Sequence, residues 1–228
     1  MRRLLRPRSP IHWLQNRCLP LLLALIILIA VHPLFDDRRV PAALFPTLLA
    51  IVPFLGVVFL STAGWALALA TIGAAGIATI AFRAEGDPER ALTTVAAPLM
   101  VLFYFVAIVA IGRTVFGKRA LLDDRIYGGI AMYLLVGIAF SIVHQAISAS
   151  NPTAYATASS HLAIGRMDWA DALYFSIVSL TTVGYGDVVP AHGIARSAAM
   201  LESMTGVFMP AVFIARLAAI PREIPSSS

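Results

Sequence analysis

Seven consecutive residues, Thr181, Thr182, Val183, Gly184, Tyr185, Gly186 and Asp187, have the types and spacing to do chemistry on a bare cation. A row of inward-turned carbonyl oxygens can replace the water around a dehydrated ion, but only if alternate residues tolerate unusual dihedrals. Gly184 and Gly186 supply that tolerance. Val183 and Tyr185 can turn their side chains outward into the surrounding protein, and Thr182 adds a hydroxyl to its carbonyl. Four such segments around one axis would make a stack of oxygen cages. A Gly-x-Gly pair can also be an ordinary turn. The context argues against that here: the segment 168–181 just before it falls short of the roughly 20 apolar residues that cross a bilayer, so it suits a re-entrant helix.

The elements that must position this loop are apolar. Hydrophobic residues are 59% of the 228 and charged residues 13%, with a mean hydropathy of +0.84. Soluble domains carry about 25% charged residues, so this composition reads as a membrane protein. Six segments are long enough to cross as helices: 19–35, 41–60, 63–82, 91–111, 126–147 and 192–220. Gly86 and Pro88 mark a helix stop and start between the third and fourth. The basic head at 1–16 looks like that of a secretory signal, but residues 30–35 lack a small-x-small cleavage pattern, so the first span is expected to be retained.

The net charge of +5 calls for no nucleic acid. With the amino terminus inside, eleven Lys and Arg fall on the cytoplasmic side and six outside, which favours cytoplasmic termini. The same arrangement puts the outer end of the loop outside the cell. Cys18 is the single cysteine, so neither an intrachain disulfide nor a cysteine metal site is expected. His12, His32, His144, His161 and His192 are scattered and read as mostly interfacial. The stretch 148–167 shows no sustained periodicity and reads as an exposed turret. Pro152 within Asn151-Pro152-Thr153 rules out a glycosylation acceptor.

The loop and its surroundings resemble the potassium channel family, for which TVGYG is the standard worked example of a selectivity filter. The clear resemblance covers residues 169–217. It implies a potassium filter of Thr182, Val183, Gly184, Tyr185 and Gly186, supported by Thr181, Asp187, Trp169 and Tyr174. Asp168 and Asp171 suit the start of the pore helix by capping and by charge. In some family members an aromatic donor and a pore-helix carboxylate both hold the Asp after the filter. Here Tyr174 stands at the first position and Val178 at the second, so Asp187 is expected to bond Tyr174 or Trp169 of the same or a neighbouring chain.

In the last span Pro210 removes the hydrogen bond to the Gly206 carbonyl. The spacing from Thr182 to Gly206 matches the family's inner-helix hinge, and close packing through a small residue is the other reading of that glycine. Glu202 is the acid well inside a span. It is expected either to bond Ser179 or Thr181 at the base of the pore helix, in charged or protonated form, or to line the cavity; the structural role is favoured. Segment 91–111 has no charged residue, so steep voltage dependence is not expected. Segment 116–125 could lie as an interfacial helix.

The expectation is an all-α membrane protein with six transmembrane helices and a re-entrant pore helix and filter loop between helices 5 and 6. Its parts are a cytoplasmic tail 1–18, a four-helix region 19–113, a linker 114–125, a pore domain 126–220 and a tail 221–228. The pore domain divides into outer helix 126–147, turret 148–167, pore helix 168–181, filter 182–187 and inner helix 192–220. One filter per chain demands a homotetramer. The expected function is passive, potassium-selective conduction in the cell membrane, with K+ and lipids as partners, no covalent cofactor and no enzymatic activity. A transporter would carry several degraded loops in one chain; a scaffold or enzyme would need a catalytic constellation that this sequence lacks. The gating stimulus is not legible.

Overall fold

The structure, a computed structural model, describes residues 18–31, 51, 97–117, 121–157 and 167–219. Apart from Ile51, the expected spans 41–60 and 63–82 lie outside these residues, as do the tails apart from Cys18.

Five helices and one two-stranded ribbon follow along the described chain. They are α1 (Leu19–Val31), α2 (Ala97–Val115), α3 (Leu122–Ser150), β1 (Tyr155–Thr157), α4 (Trp169–Leu180), β2 (Val188–Pro190) and α5 (Gly193–Ala218). Among them α2, α3 and α5 are long and apolar enough to cross a membrane. Pro20 and Pro98 sit in the first turns of α1 and α2, where a missing N–H costs no helical bond.

Two differences from the sequence reading bear on the site. Helix α3 begins at Leu122 rather than 126, because Asp123 and Asp124 favour the positive end of the helix dipole. An interfacial helix over 116–125 is therefore not formed as expected: residues 116–117 make a turn, and 122–125 open α3. Arg125 Nη2 ties the two by donating to the Gly117 carbonyl at 2.9 Å. At its other end α3 runs to Ser150 and stops at extended Asn151, the residue before Pro152, where helical dihedrals are disfavoured.

The second difference is in the turret, which is not wholly irregular, so the fold is mostly rather than purely helical. Strand β1 pairs antiparallel with β2, with Tyr155 opposite Pro190 and Thr157 opposite Val188. The Ala154 carbonyl extends the tie by accepting from Ala191 N at 2.8 Å. The segment after residues 181–187 is thereby fastened to the segment after α3.

Helix α3 is the hub, with α1, α2, α4 and α5 all packed on it. Leu25, Tyr104, Ile111, Leu135, Ile138 and Ile142 are among the side chains that fill the common core. Helix α5 contributes little to it. Its buried residues, Ala195, Ala198, Glu202 and Gly206, lie three or four apart and form one narrow stripe. At the lower end of that stripe Gly206 sits directly against the Leu180 carbonyl, where a Cβ would overlap the oxygen.

The close approach gives the first prediction. Gly206→Ala must push α5 off the end of α4, and overpacking of this kind costs about 1–3 kcal/mol. Gly193→Ala, whose Cβ would meet nothing within 4 Å, should be silent. Thermal unfolding in detergent should show a lowered midpoint for the first variant alone. A pure hinge role for Gly206 would instead leave the midpoint unchanged.

Candidate functional site

Helix α4 aims the loop. Its start is fixed by Asp168, whose carboxylate accepts from Asp171 N at 2.9 Å, and Asp171 adds negative charge to the first turn. Its end matters more, because the last four carbonyls of any helix lack intrahelical partners. Here the chain that follows and the flanking helices satisfy all of them. Ile177 O accepts from Thr181 N at 3.0 Å, and Val178 O accepts from Val183 N at 3.0 Å and Gly184 N at 3.3 Å. Ser179 O accepts from Thr182 N at 3.0 Å and from Ser203 Oγ at 3.3 Å. Leu180 O accepts from the Tyr133 hydroxyl at 3.0 Å.

In a trans peptide the carbonyl points opposite to the next residue's N–H. With the amides of Thr182, Val183 and Gly184 turned toward the helix end, the carbonyls of Thr181, Thr182 and Val183 turn away from it. The dihedrals continue the pattern: φ is positive at every second residue, 59° at Thr182, 58° at Gly184 and 79° at Gly186. An extended strand would send successive carbonyls to opposite faces, whereas this alternation keeps them on one. Two of the three positions are glycines, as the sequence suggested. Thr182 is not, and a β-branched residue there carries strain of about 1–3 kcal/mol.

Asp187 closes the loop. Tyr174 OH donates to Asp187 Oδ2 at 2.6 Å, and Val188 N donates to Oδ1 at 3.0 Å. The Tyr174 ring also stacks on Tyr185, with centroids 6.5 Å apart and planes within 6°. Of the two donors considered for Asp187, Tyr174 makes the bond. Trp169 instead packs, half-buried, against the common core. Val183 and Tyr185 are 52% and 71% exposed on the single chain.

Glu202 is fully buried and faces the protein interior, not a cavity. Neither Ser179 nor Thr181 is its partner: Ser203 reaches Ser179, and the Thr181 hydroxyl turns back to Ile177 O at 2.7 Å. Glu202 Oε2 lies 2.8 Å from His144 Nε2, and Oε1 bonds Ser176 Oγ. His144 is therefore a core residue rather than an interfacial one, and its Nδ1 lies 2.6 Å from the Tyr155 hydroxyl. These partners come from residues 26 to 58 positions away, so no local pattern announced them. The signal available was the cost of an unpartnered acid in a span. Helix α5 continues through both Gly206 and Pro210. No group of three His, Cys, Asp or Glu suited to a metal occurs among the described residues.

The Tyr174 hydroxyl holds the exposed Asp187 carboxyl below the ordinary aspartate range, with the Val188 amide adding to the effect. A depressed carboxyl contributes its full stabilisation above the unfolded value, near 3.9, and loses it as pH falls through the folded value. Tyr174→Phe should therefore raise the Asp187 titration toward that ordinary value, as read from carboxyl carbon chemical shifts. An unmoved titration would show that Tyr174 is not the cause.

The comparisons with known proteins agree with this geometry. Residues 129–223 match a family model described as "Ion channel". The chain is 32% identical over 94 residues to Protein LctB of Geobacillus stearothermophilus, covering 41% of this chain and 69% of that one. It is 46% identical over 48 residues to Two pore potassium channel b of Oryza sativa subsp. japonica, covering 21% of this chain and 14% of the other. With Two-pore potassium channel 1 of Arabidopsis thaliana it shares 34% over 95 residues, 41% of this chain and 22% of the relative. No solved structure matches it. A one-sided row of loop carbonyls between two apolar helices, in a segment that matches these relatives, makes this chain a member of the potassium channel family.

Proposed function

We propose that four copies of this chain surround a central pore that conducts K+ passively and rejects Na+. The carbonyls of Thr182, Val183, Gly184, Tyr185 and Gly186, with the Thr182 hydroxyl, stand in for the ion's hydration shell. Thr181, Asp187 and Tyr174 hold that lining, and Trp169 anchors the pore helix behind it. The observation that carries this reading is the direction of the amides of residues 182–184: once the helix end takes them, the carbonyl row is left to face a single axis.

Several features support the fourfold arrangement. One chain supplies one carbonyl row, which covers one side of an ion, and a closed ring follows from cyclic symmetry. Val183, Tyr185 and the apolar residues Met204, Val207 and Phe208 of α5 stand exposed on the single chain, as surfaces waiting for neighbours would. The 12 residues of α4 rise only about 18 Å, too little for the roughly 30 Å of hydrocarbon, which fits a re-entrant helix inside the tetramer. Its carboxyl end then directs partial negative charge toward the axis.

In this reading α3 and α5 are the outer and inner helices, and six spans result when 41–60 and 63–82 are included. Both termini lie in the cytoplasm, and the chain sits in the cell membrane among its lipids. Helix α2 carries Arg113 only in its last turn, so its passage through the field would move little charge. Opening is then not steeply voltage-dependent. Gly206 and Pro210 are the proposed gating positions, with bending placed at Pro210.

Purified protein in liposomes should pass K+ down its gradient at high turnover and exclude Na+, with no dependence on a second ion or a nucleotide. Gly184→Ala or Tyr185→Ala should abolish conduction or selectivity while the tetramer persists on size-exclusion chromatography. Retained potassium preference in either variant would defeat the carbonyl-lining mechanism.

A further inference from the structure

Behind the filter, side chains from four elements meet in one buried chain of contacts. Tyr155 OH of β1 lies 2.6 Å from His144 Nδ1 of α3, and His144 Nε2 lies 2.8 Å from Glu202 Oε2 of α5. Glu202 Oε1 bonds Ser176 Oγ of α4, and Ser176 Oγ lies 2.6 Å from the Gly137 carbonyl of α3. His144, Ser176 and Glu202 are all fully buried. Phe175 stands edge-on to the His144 ring at 4.8 Å, and Phe140 stacks on it at 6.4 Å.

Counting protons decides how the chain is charged. A serine hydroxyl has one hydrogen, and the Gly137 carbonyl has none to offer, so the Ser176–Gly137 bond uses the serine hydrogen. The contact between Ser176 and Glu202 must then take its hydrogen from the carboxyl group. His144 Nε2–H donates to the other carboxyl oxygen, and His144 Nδ1 accepts from Tyr155. Four contacts hold four hydrogens and the net charge is zero. An ionised Glu202 beside a protonated His144 would leave one of the two Ser176 contacts as a pair of bare oxygens.

We propose that Glu202 carries a proton, and that the neutral chain Tyr155, His144, Glu202, Ser176 positions the pore helix and through it the filter. Ser176 lies two residues before Val178, whose carbonyl holds the amides of Val183 and Gly184. A shift of α4 at Ser176 is passed to those two bonds. This role rests on the conduction proposed above; the protonation of Glu202 does not.

Glutamine reproduces the proposed pattern, with an N–H toward Ser176 and a carbonyl toward His144. In planar bilayers Glu202→Gln should keep the K+ to Na+ permeability ratio and the persistence of current. Glu202→Ala should lower that ratio or shorten that persistence by about tenfold, the scale of one lost buried hydrogen bond. Ser176→Ala, a smaller change, carries the same expectation and covers the case in which Glu202→Ala fails to assemble. Infrared difference spectra of the purified tetramer should contain a protonated carboxyl C=O band that Glu202→Gln removes. Absence of such a band, or a Gln variant as impaired as the Ala variant, would overturn the proton assignment. Wild-type behaviour in both Ala variants would overturn the positioning role. Wild-type vesicles impermeable to K+ would instead remove the conduction reading, and the infrared band would still decide the protonation.

Discussion

The structure turns on the carboxyl end of α4, where the unpaired carbonyls of a short helix must find donors. Its own downstream amides supply most of them: Thr181, Thr182, Val183 and Gly184 all bond back to residues 177–179. Satisfying the helix and shaping the loop are one event. Each amide claimed by the helix end obliges the preceding carbonyl to face the opposite way. The strain at Thr182 is held because the amides on both sides of its dihedral pair are claimed in this manner. A loop shaped by its own helix is pre-organised, which is what the proposed replacement of an ion's hydration shell requires.

Two carboxylates flank this arrangement, and their surroundings give them opposite tasks. Asp187 stands in solvent at the outer end, accepts from Tyr174 and Val188, and is suited to remain charged. Glu202 is sealed in the interior with His144, Ser176 and the aromatic rings around them. Coulomb attraction between exposed groups is screened by water and salt. Inside the protein the same screening is missing, so a full charge there would be costly and a neutral hydrogen-bonded chain is the favoured form. The exposed carboxylate can thus respond to solution conditions while the buried one is insulated from them.

What was legible in the sequence is what is decided locally. The glycines at 184 and 186, the Asp168 cap and the membrane-length apolar runs all depend on residues within a few positions of one another. Thr182 escaped because its dihedral is imposed by bonds to α4, not chosen by its side chain. The β1 to β2 pairing joins strands 33 residues apart and leaves no alternating pattern in three-residue strands. The sequence marks Glu202 as a group needing a partner, but its direction about α5 differs from the expected one by a single residue step. Ser203, not Glu202, faces Ser179, and a step of one residue turns a helix by about 100°, enough to exchange the base of the pore helix for His144.

That rotation also fixes where α5 can move. Gly206 lies on the same buried stripe as Glu202, pressed against the Leu180 carbonyl, which Tyr133 holds from the other side. Between Ala199 and Gly206 the helix therefore meets α4 through Ala199, Glu202, Ser203 and Gly206. Below it the constraints change in kind. Pro210 leaves the Gly206 carbonyl without its intrahelical donor, the usual cause of a kink. Beyond Pro210 the contacts are made by side chains: Phe213 lies against Gly129 of α3, where a Cβ would overlap its ring, and meets Phe116 edge-on at 6.0 Å, and Arg216 lies 5.3 Å above the Phe116 ring. Phe116 belongs to the turn joining α2 to α3. The part of α5 beyond Pro210 thus rests on α3 and on the segment that follows α2, whereas the part above it is held against α4.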